Sequence, residues 1–356
     1  MCRMESSSAA RRLSTRGGRL RQKKENREDD MMSEYTRKTI AEMKKGDRIE
    51  GIFSVHYTKP ITIYKFGTMF EFRLADRTGQ MTAKYWGGDD QTEVMRVYDT
   101  IGEDAVVRVR GTVIEYKGQL ELAINPKDGE GIRVLKDGEY DIRELIPTRE
   151  DIPQLKARLK ERIDSVTEPN LSRLLHNVFD KEFMEEFSRC PASIMLHSNE
   201  LGGLLYHTLN VADHCMLAWE HYKEMDRDLL LAGALLHDVG KVEAFKVTTN
   251  IDQTEAGKFL GHLVLGMDLV KAKIRELGDF PDELENKVLH IILSHHGRKD
   301  WGSPVEPAIP EALTVHYADD FDAKLDYMLI KRKEASTDDS WIWDSKFRRL
   351  LYVGDQ

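Results

Sequence analysis

The spacing of apolar residues changes once along this chain, and that change restricts its architecture more than any other feature. From Gly46 to about Pro126 the period is two: Phe70, Phe72 and Leu74 alternate with Glu71 and Arg73, Val107 and Val109 with Arg108 and Arg110, and Leu120, Leu122 and Ile124 with polar or small residues. Such alternation builds half-buried strands, because successive side chains of a strand point to opposite faces. Turn signals at Asp76-Arg77-Thr78-Gly79 and Lys117-Gly118 separate the runs, and a polar segment from Asp89 to Tyr98 lies between the third strand and the fourth. Five strands with a helical insert at that point predict a small closed barrel. Beyond a stretch interrupted by Gly129, Gly131, Gly138 and Pro147 the period becomes helical and stays so. It predicts helices at about 151–166, 170–188, 202–223, 227–239, 259–277, 281–297 and 309–332.

At 356 residues, 40% apolar and 32% charged, the chain is long enough for two domains and reads as globular. The predicted fold class is multidomain, α and β: a five-stranded barrel over 35–126, a linker over 127–150, an all-α helical bundle over 151–335 and a C-terminal segment over 336–356. Residues 1–34 are rich in Ser, Arg, Lys and acidic residues with almost nothing to bury, which predicts a disordered basic and polar extension. Its plainest reading is a non-functional extension, against a nucleic-acid arm, a transit peptide or a start upstream of Met31 or Met32. The longest apolar run, Leu229 to Leu236, falls far short of a membrane span, and no charged-then-apolar leader opens the chain. A cytoplasmic protein with no membrane partner is therefore expected. Cys2, Cys190 and Cys215 are odd in number and widely spaced, which argues against both a disulfide framework and a Cys-x-x-Cys metal motif.

A formal charge of −9 argues against a protein that coats nucleic acid by bulk electrostatics and leaves a local basic channel open. Between Asp47 and Glu121 ten Lys or Arg stand against twelve Asp or Glu, so no strong basic groove is evident in the barrel region. Arg73, Arg108 and Arg110 nevertheless fall on the outward phase of their strands and are the predicted nucleic-acid contacts there. Tyr57, Tyr64, Phe66, Tyr85 and Trp86 are candidates to stack on unpaired bases, against the plainer reading that most belong to the core. The strand pattern resembles the OB-fold, a five-stranded barrel often used for oligonucleotides.

The chemistry is concentrated in the helical part. Leu235-Leu236-His237-Asp238-Val239-Gly240-Lys241 places a His-Asp pair at a predicted helix end, which Gly240 is suited to terminate in the left-handed conformation. His207 lies near the start of a helix, after Gly202-Gly203, and His262, His295-His296 and Asp319 follow. From His207 through His237, His262 and His295 to Asp319 the spacings are 30, 25, 33 and 24 residues, as one helix or helical hairpin per ligand would give. Imidazole suits Mn, Fe, Co, Ni and Zn, and one carboxylate can bridge two ions, so the set is a candidate binuclear hydrolytic centre. A lone histidine of this kind is more often structural, whereas five near helix ends at such intervals point to metal. His56, His176, His197, His214, His221, His290 and His316 lack that pattern and are expected to be structural. Lys241 reads as a phosphate contact, against a solvated lysine beside the negative helix end. Ser303 in Gly302-Ser303-Pro304 and Arg298 are further phosphate-binding candidates.

The ordered set His, His-Asp, His, His-His, Asp resembles the HD-domain superfamily of metal-dependent phosphohydrolases over about 200–325. More closely, Gly202-Gly203-Leu204-Leu205-Tyr206-His207-Thr208, Leu236-His237-Asp238-Val239-Gly240-Lys241, Gly261-His262, Leu293-Ser294-His295-His296-Gly297, Trp301-Gly302-Ser303-Pro304 and Asp319-Asp320-Phe321-Asp322-Ala323-Lys324 are similar to the YhaM family. Those proteins join an OB-type domain to an HD domain and act as 3′-to-5′ exoribonucleases. Two residues depart from the family pattern: Tyr206 where Glu is frequent, and Asp320 where Asn is frequent. The resemblance implies that His207, His237, Asp238 and Asp319 hold one divalent transition metal ion, with Asp238 bridging to a second held by His262, His295 and His296. It implies Asp238 and Lys241 as catalytic residues, Mn as the favoured metal among Mn, Fe, Co, Ni and Zn, and a metal-activated hydroxide as the attacking group.

The leading expectation is thus a metal-dependent exoribonuclease acting on single-stranded RNA or DNA, with a homo-oligomer compatible with the sequence. Two alternatives stay open: an HD phosphodiesterase for small or cyclic nucleotides, and a non-catalytic protein that binds single strands.

Overall fold

The computed structural model describes residues 35–102, 104–193, 200–335 and 339–354. The extension 1–34 and His197 lie outside the described residues. The chain divides into two compact units, Met1–Leu145 and Ile146–Gln356.

The first unit is one sheet of seven strands: β1 (Arg48–Thr58), β2 (Thr62–Tyr64), β3 (Gly67–Asp76), β4 (Gly79–Gly88), β5 (Val106–Tyr116), β6 (Gln119–Ile124) and β7 (Gly131–Leu135). Pairing runs β1-β3-β4-β6-β5, and β5 returns to β1. β1 serves its two neighbours with successive halves: Arg48–Ser54 pairs with β5 and Ser54–Thr58 with β3, with an irregularity between Val55 and Tyr57. By serving both neighbours, β1 lets the sheet roll up on itself as a barrel. Phe53, Val55, Phe70, Phe72, Leu74, Val107, Val109, Leu122 and Ile124 fill its interior; all but the first two lie on the phase that the period of two assigned to the core, whereas Leu120 on that phase is exposed. The helical insert is α1 (Gln91–Thr100), started by the Asp90 side chain accepting from Glu93 N and packed inward through Val94 and Val97. β2 and β7 are additions to the five expected strands. β7 lies in the stretch expected to be a linker, pairs with β5 and extends the first unit to Leu145.

The second unit is helical: α2 (Ile152–Asp164), α3 (Pro169–Val178), α4 (Lys181–Phe187), α5 (Gly203–His221), α6 (Arg227–Leu236), α7 (Lys241–Ala244), α8 (Glu255–Leu277), α9 (Asp282–Ser294) and α10 (Pro310–Glu334). In α6 every residue from Asp228 to Leu236 is buried, and a helix apolar all round must be central. α5, α9 and α10 pack against it. The helix expected over 170–188 is two helices, because Asp180 breaks out to cap α4 by accepting from Phe183 N. One short hairpin, β8 (Phe245–Val247) with β9 (Ile251–Gln253), interrupts the all-α expectation, and the C-terminal segment carries a second, β10 (Trp341–Asp344) with β11 (Arg349–Tyr352). Strands of three or four residues are too short to show a period. No helix among the described residues is long and apolar enough to cross a membrane.

Candidate metal centre

Each predicted histidine ligand, and Asp238, sits where a helix begins, ends or kinks, whereas Asp319 lies within α10. His207 is in the first turns of α5, His237 and Asp238 follow the last residue of α6, and His295 and His296 follow the last residue of α9. α8 is interrupted at Gly261 (φ 74°, ψ 158°), and His262 is the next residue. Gly240 is not left-handed as expected: its φ is −66°. A Cβ there would lie 2.1 Å from the His262 carbonyl oxygen and 2.3 Å from Gly266 N, so the glycine is needed for close approach of two backbones. That approach brings the loop carrying Asp238 against the helix carrying His262. Gly297 has a true positive φ of 78°, and a Cβ there would meet the His316 ring at 2.2 Å.

The side chains gather into two adjoining sets, His207–His237–Asp238–Asp319 and His262–His295–His296. Asp238 faces both. Its Oδ2 lies 3.3 Å from His237 Nε2 and 3.6 Å from His207 Nε2, while its Oδ1 lies 3.5 Å from Nε2 of both His262 and His295. Asp319 Oδ1 is 3.1 Å from His207 Nε2, and the Nε2 atoms of His262 and His296 are 3.2 Å apart.

The other ring nitrogen of four of these histidines is engaged. His237 Nδ1 bonds the Ala234 carbonyl at 2.7 Å, His295 Nδ1 the Ile292 carbonyl at 2.7 Å, His296 Nδ1 the Trp301 carbonyl at 3.0 Å, and His207 Nδ1 the Asp322 carboxylate at 2.6 Å. A carbonyl only accepts, so Nδ1 carries the proton in His237, His295 and His296, and Nε2 presents its lone pair to the centre. Asp322 escaped the sequence reading. It stands three residues after Asp319, so one helix turn supplies a carboxylate to each nitrogen of His207, and Asn210 donates to its second oxygen at 3.0 Å.

Charge in the cluster follows from burial and contact. Burial disfavours a charged His207, yet its bonds to Asp319 and Asp322 prevail and raise it to about 9. Burial pushes His262 well below the usual histidine value and, with His295 beside it, lowers His296 to about 4. Burial works against ionised Asp238, but Lys241 and His237 hold it well below the carboxylate range. The same opposition, resolved by His207, holds Asp319 low.

These residues fit divalent cations. Among the described residues, the buried Nε2 atoms of His237 and His295 and Oδ1 of Asp238 have no hydrogen-bond partner, a costly condition unless a cation meets them. The 3.2 Å between His262 and His296 suits two nitrogens at about 2.1 Å from a common ion.

The other predicted residues divide. Lys241 is not a solvated lysine: it is buried and donates to Asp238 Oδ2 at 2.6 Å. Ser303 is buried with an unpartnered Oγ, and Arg298 is exposed, reaching Asp300 only at 4.0 Å. In the first unit Arg73 donates to Thr82 at 3.0 Å and Arg110 to Glu50 at 2.7 Å. Arg73 stands across β1 from Tyr57 and Arg108 from Ile52, about 16 Å along the strand, so these arginines do not form one cluster. Tyr85 is core, stacked on Phe70 at 5.2 Å, whereas Tyr57 and Phe66 are exposed and Tyr64 packs edge-on against Trp86 at 5.0 Å. Tyr206 lies under Arg149 at 3.8 Å, and the Asp320 charge is met by Lys324 at 2.6 Å. His176 bonds Asp164, His290 accepts from Ala308 N, and His316 bonds the His295 carbonyl, in keeping with structural roles.

Residues 204–324 match the family model for the HD domain, and residues 54–127 match that for the OB-fold nucleic acid binding domain. Among solved structures, the chain is similar to the OB domain of Ta0387 from Thermoplasma acidophilum, with 14% identity, 29% of this chain and 89% of that chain covered, and a TM-score of 0.23. It is similar to Schizosaccharomyces pombe Pot1pC bound to ssDNA at 13% identity, covering 29% of this chain and 89% of that chain with a TM-score of 0.24. The second OB-fold domain of replication protein A from Methanococcus maripaludis matches at 16% identity, covering 29% of this chain and 98% of that chain, with a TM-score of 0.22. The protein thus joins an OB-fold β domain to a helical HD domain, the fold of metal-dependent phosphohydrolases.

Proposed function

We propose that this chain is a metal-dependent 3′-to-5′ exoribonuclease of the YhaM type, which binds single strands through its barrel and hydrolyses the terminal phosphodiester in its HD domain. The observation that carries the reading is Asp238, whose two oxygens face two separate histidine sets in a chain that also carries an OB-fold domain. His207, His237, Asp238 and Asp319 would hold one ion, and His262, His295 and His296 the other. When bound, two divalent ions, Mn favoured, supply an activated water and neutralise phosphate oxygens. Lys241 fixes the orientation of Asp238 and offsets its charge. Ser303 offers a buried hydroxyl to a phosphate oxygen, with Arg298 placed to meet the next one. Tyr57 and Phe66, exposed, and Trp86, half-buried, are the barrel's rings for unpaired bases, with Arg73, Arg108 and Arg110 as separate phosphate contacts. The buried free thiols Cys190 and Cys215 fit a reducing, cytoplasmic setting.

A 5′-labelled single-stranded RNA incubated with the protein and Mn²⁺ should shorten stepwise from its 3′ end. An RNA left intact across several divalent metals would sink the proposal, and faster hydrolysis of cyclic or mononucleotide diesters than of oligomers would replace it with the small-nucleotide reading.

A further inference from the structure

Beside the metal ligands lies a run of aromatic rings that the proposed chemistry does not use. Trp301 holds His296 through its backbone carbonyl, yet 48% of the residue is exposed. Its ring stands 6.1 Å from His316, whose ring is 4.8 Å from Tyr317, a residue 62% exposed. His316 is itself buried and tied at 2.7 Å to the carbonyl of His295. Two exposed aromatic rings are therefore anchored, through one buried imidazole and one carbonyl, to the adjacent ligands His295 and His296.

Two cations lie over the same indole. Arg298 Cζ is 5.4 Å and Lys324 Nζ 5.3 Å from the Trp301 ring centroid. The segment is preorganised: Trp301 N bonds the Arg298 carbonyl at 3.0 Å, Gly302 N the Lys299 carbonyl at 3.0 Å, and Ser303 N the Arg298 carbonyl at 3.2 Å. Aromatic faces interleaved with cations suit an unpaired nucleobase and its phosphates, because every base has a face to stack and every phosphate a charge to neutralise.

We propose that Trp301 and Tyr317 form a stacking platform for the 3′-terminal nucleobase of the substrate, with Arg298 and Lys324 as its flanking cations. This rests on the nuclease reading above and adds what that reading lacks: a reason why the terminal nucleotide must be unpaired and carry a base. Trp301 is here a positioning residue, since it touches the base and not the scissile bond.

The test needs no turnover. A single-stranded oligonucleotide with 5-iodouracil as its 3′-terminal base is irradiated with chelator-treated protein, and the adduct is mapped by mass spectrometry. Adducts at Trp301 or Tyr317 are expected, reduced about tenfold in W301A and retained in W301F. With metal restored, W301A should raise KM about tenfold with kcat little changed. An abasic 3′ terminus should cost the parent the same factor and W301A nothing further. Adducts of the terminal base elsewhere in the chain, or equal losses by W301A on normal and abasic ends, overturn the platform while leaving the nuclease reading intact. So does a Y317A variant that changes subunit number with the adduct unaffected, which would assign the ring to an interface. A parent protein that neither binds nor shortens any single strand overturns the nuclease reading, and the platform with it.

Discussion

Asp322 is the residue whose role is furthest from its sequence appearance. In sequence it is one more helix carboxylate, whereas in the fold it accepts from a ring nitrogen of a histidine 115 positions away. Partners of this kind fix the tautomer and direction of a ligand, and their loss typically costs 10–100-fold in metal affinity. Asp322→Asn should accordingly weaken metal binding by about that factor in a competition titration while the far-ultraviolet spectrum is retained, and unchanged affinity would deny the residue its orienting role. Cys190 makes a second prediction at this scale. Burial raises its thiol to about 12, so below that pH it stays protonated and unreactive. Native protein at pH 8 should resist iodoacetamide at Cys190, and denatured protein should not; alkylation of the native form at the rate of a free thiol would contradict the burial. The seven candidate ligand residues were legible in sequence because imidazole and carboxylate declare their chemistry wherever they stand.

At the scale of elements, α6 and the loop after it decide whether the centre assembles. Leu231 is fully buried in a helix surrounded by other helices, so Leu231→Ala should destabilise the protein by roughly 2–5 kcal/mol in urea denaturation. Gly240→Ala should act differently. Its Cβ would meet backbone atoms of α8, which cannot rotate away as a side chain can. The expected result is a loss of bound metal together with a destabilisation of about 1–3 kcal/mol; full metal content at parental stability would show that the close approach is dispensable. The long helices were readable because their apolar faces repeat over several turns. The break at Asp180 and the hairpins β8-β9 and β10-β11 were not, since a capping aspartate and strands of three or four residues leave no repeat to detect.

For the whole molecule, the proposal divides labour between two units of different construction. Tyr57→Ala with Phe66→Ala, at positions 41% and 66% exposed, should weaken binding of single strands by about 1–3 kcal/mol per ring while hydrolysis of a dinucleotide stays near the parental rate. Equal losses on both substrates would argue against a separate binding role for the barrel. By itself the sequence determined the two architectures and their order, because a period of two and a helical period are local properties spelled out residue by residue. It also named the metal-ligand candidates found among the described residues, because their side-chain chemistry travels with them. Only the tertiary structure decided that Lys241 is bound to Asp238, that Gly240 serves contact rather than a left-handed turn, that Asp322 bonds His207, and that β7 belongs to the barrel. Each of these depends on which backbone or charge arrives from elsewhere in the chain, and such distances through space leave no periodic trace in the sequence.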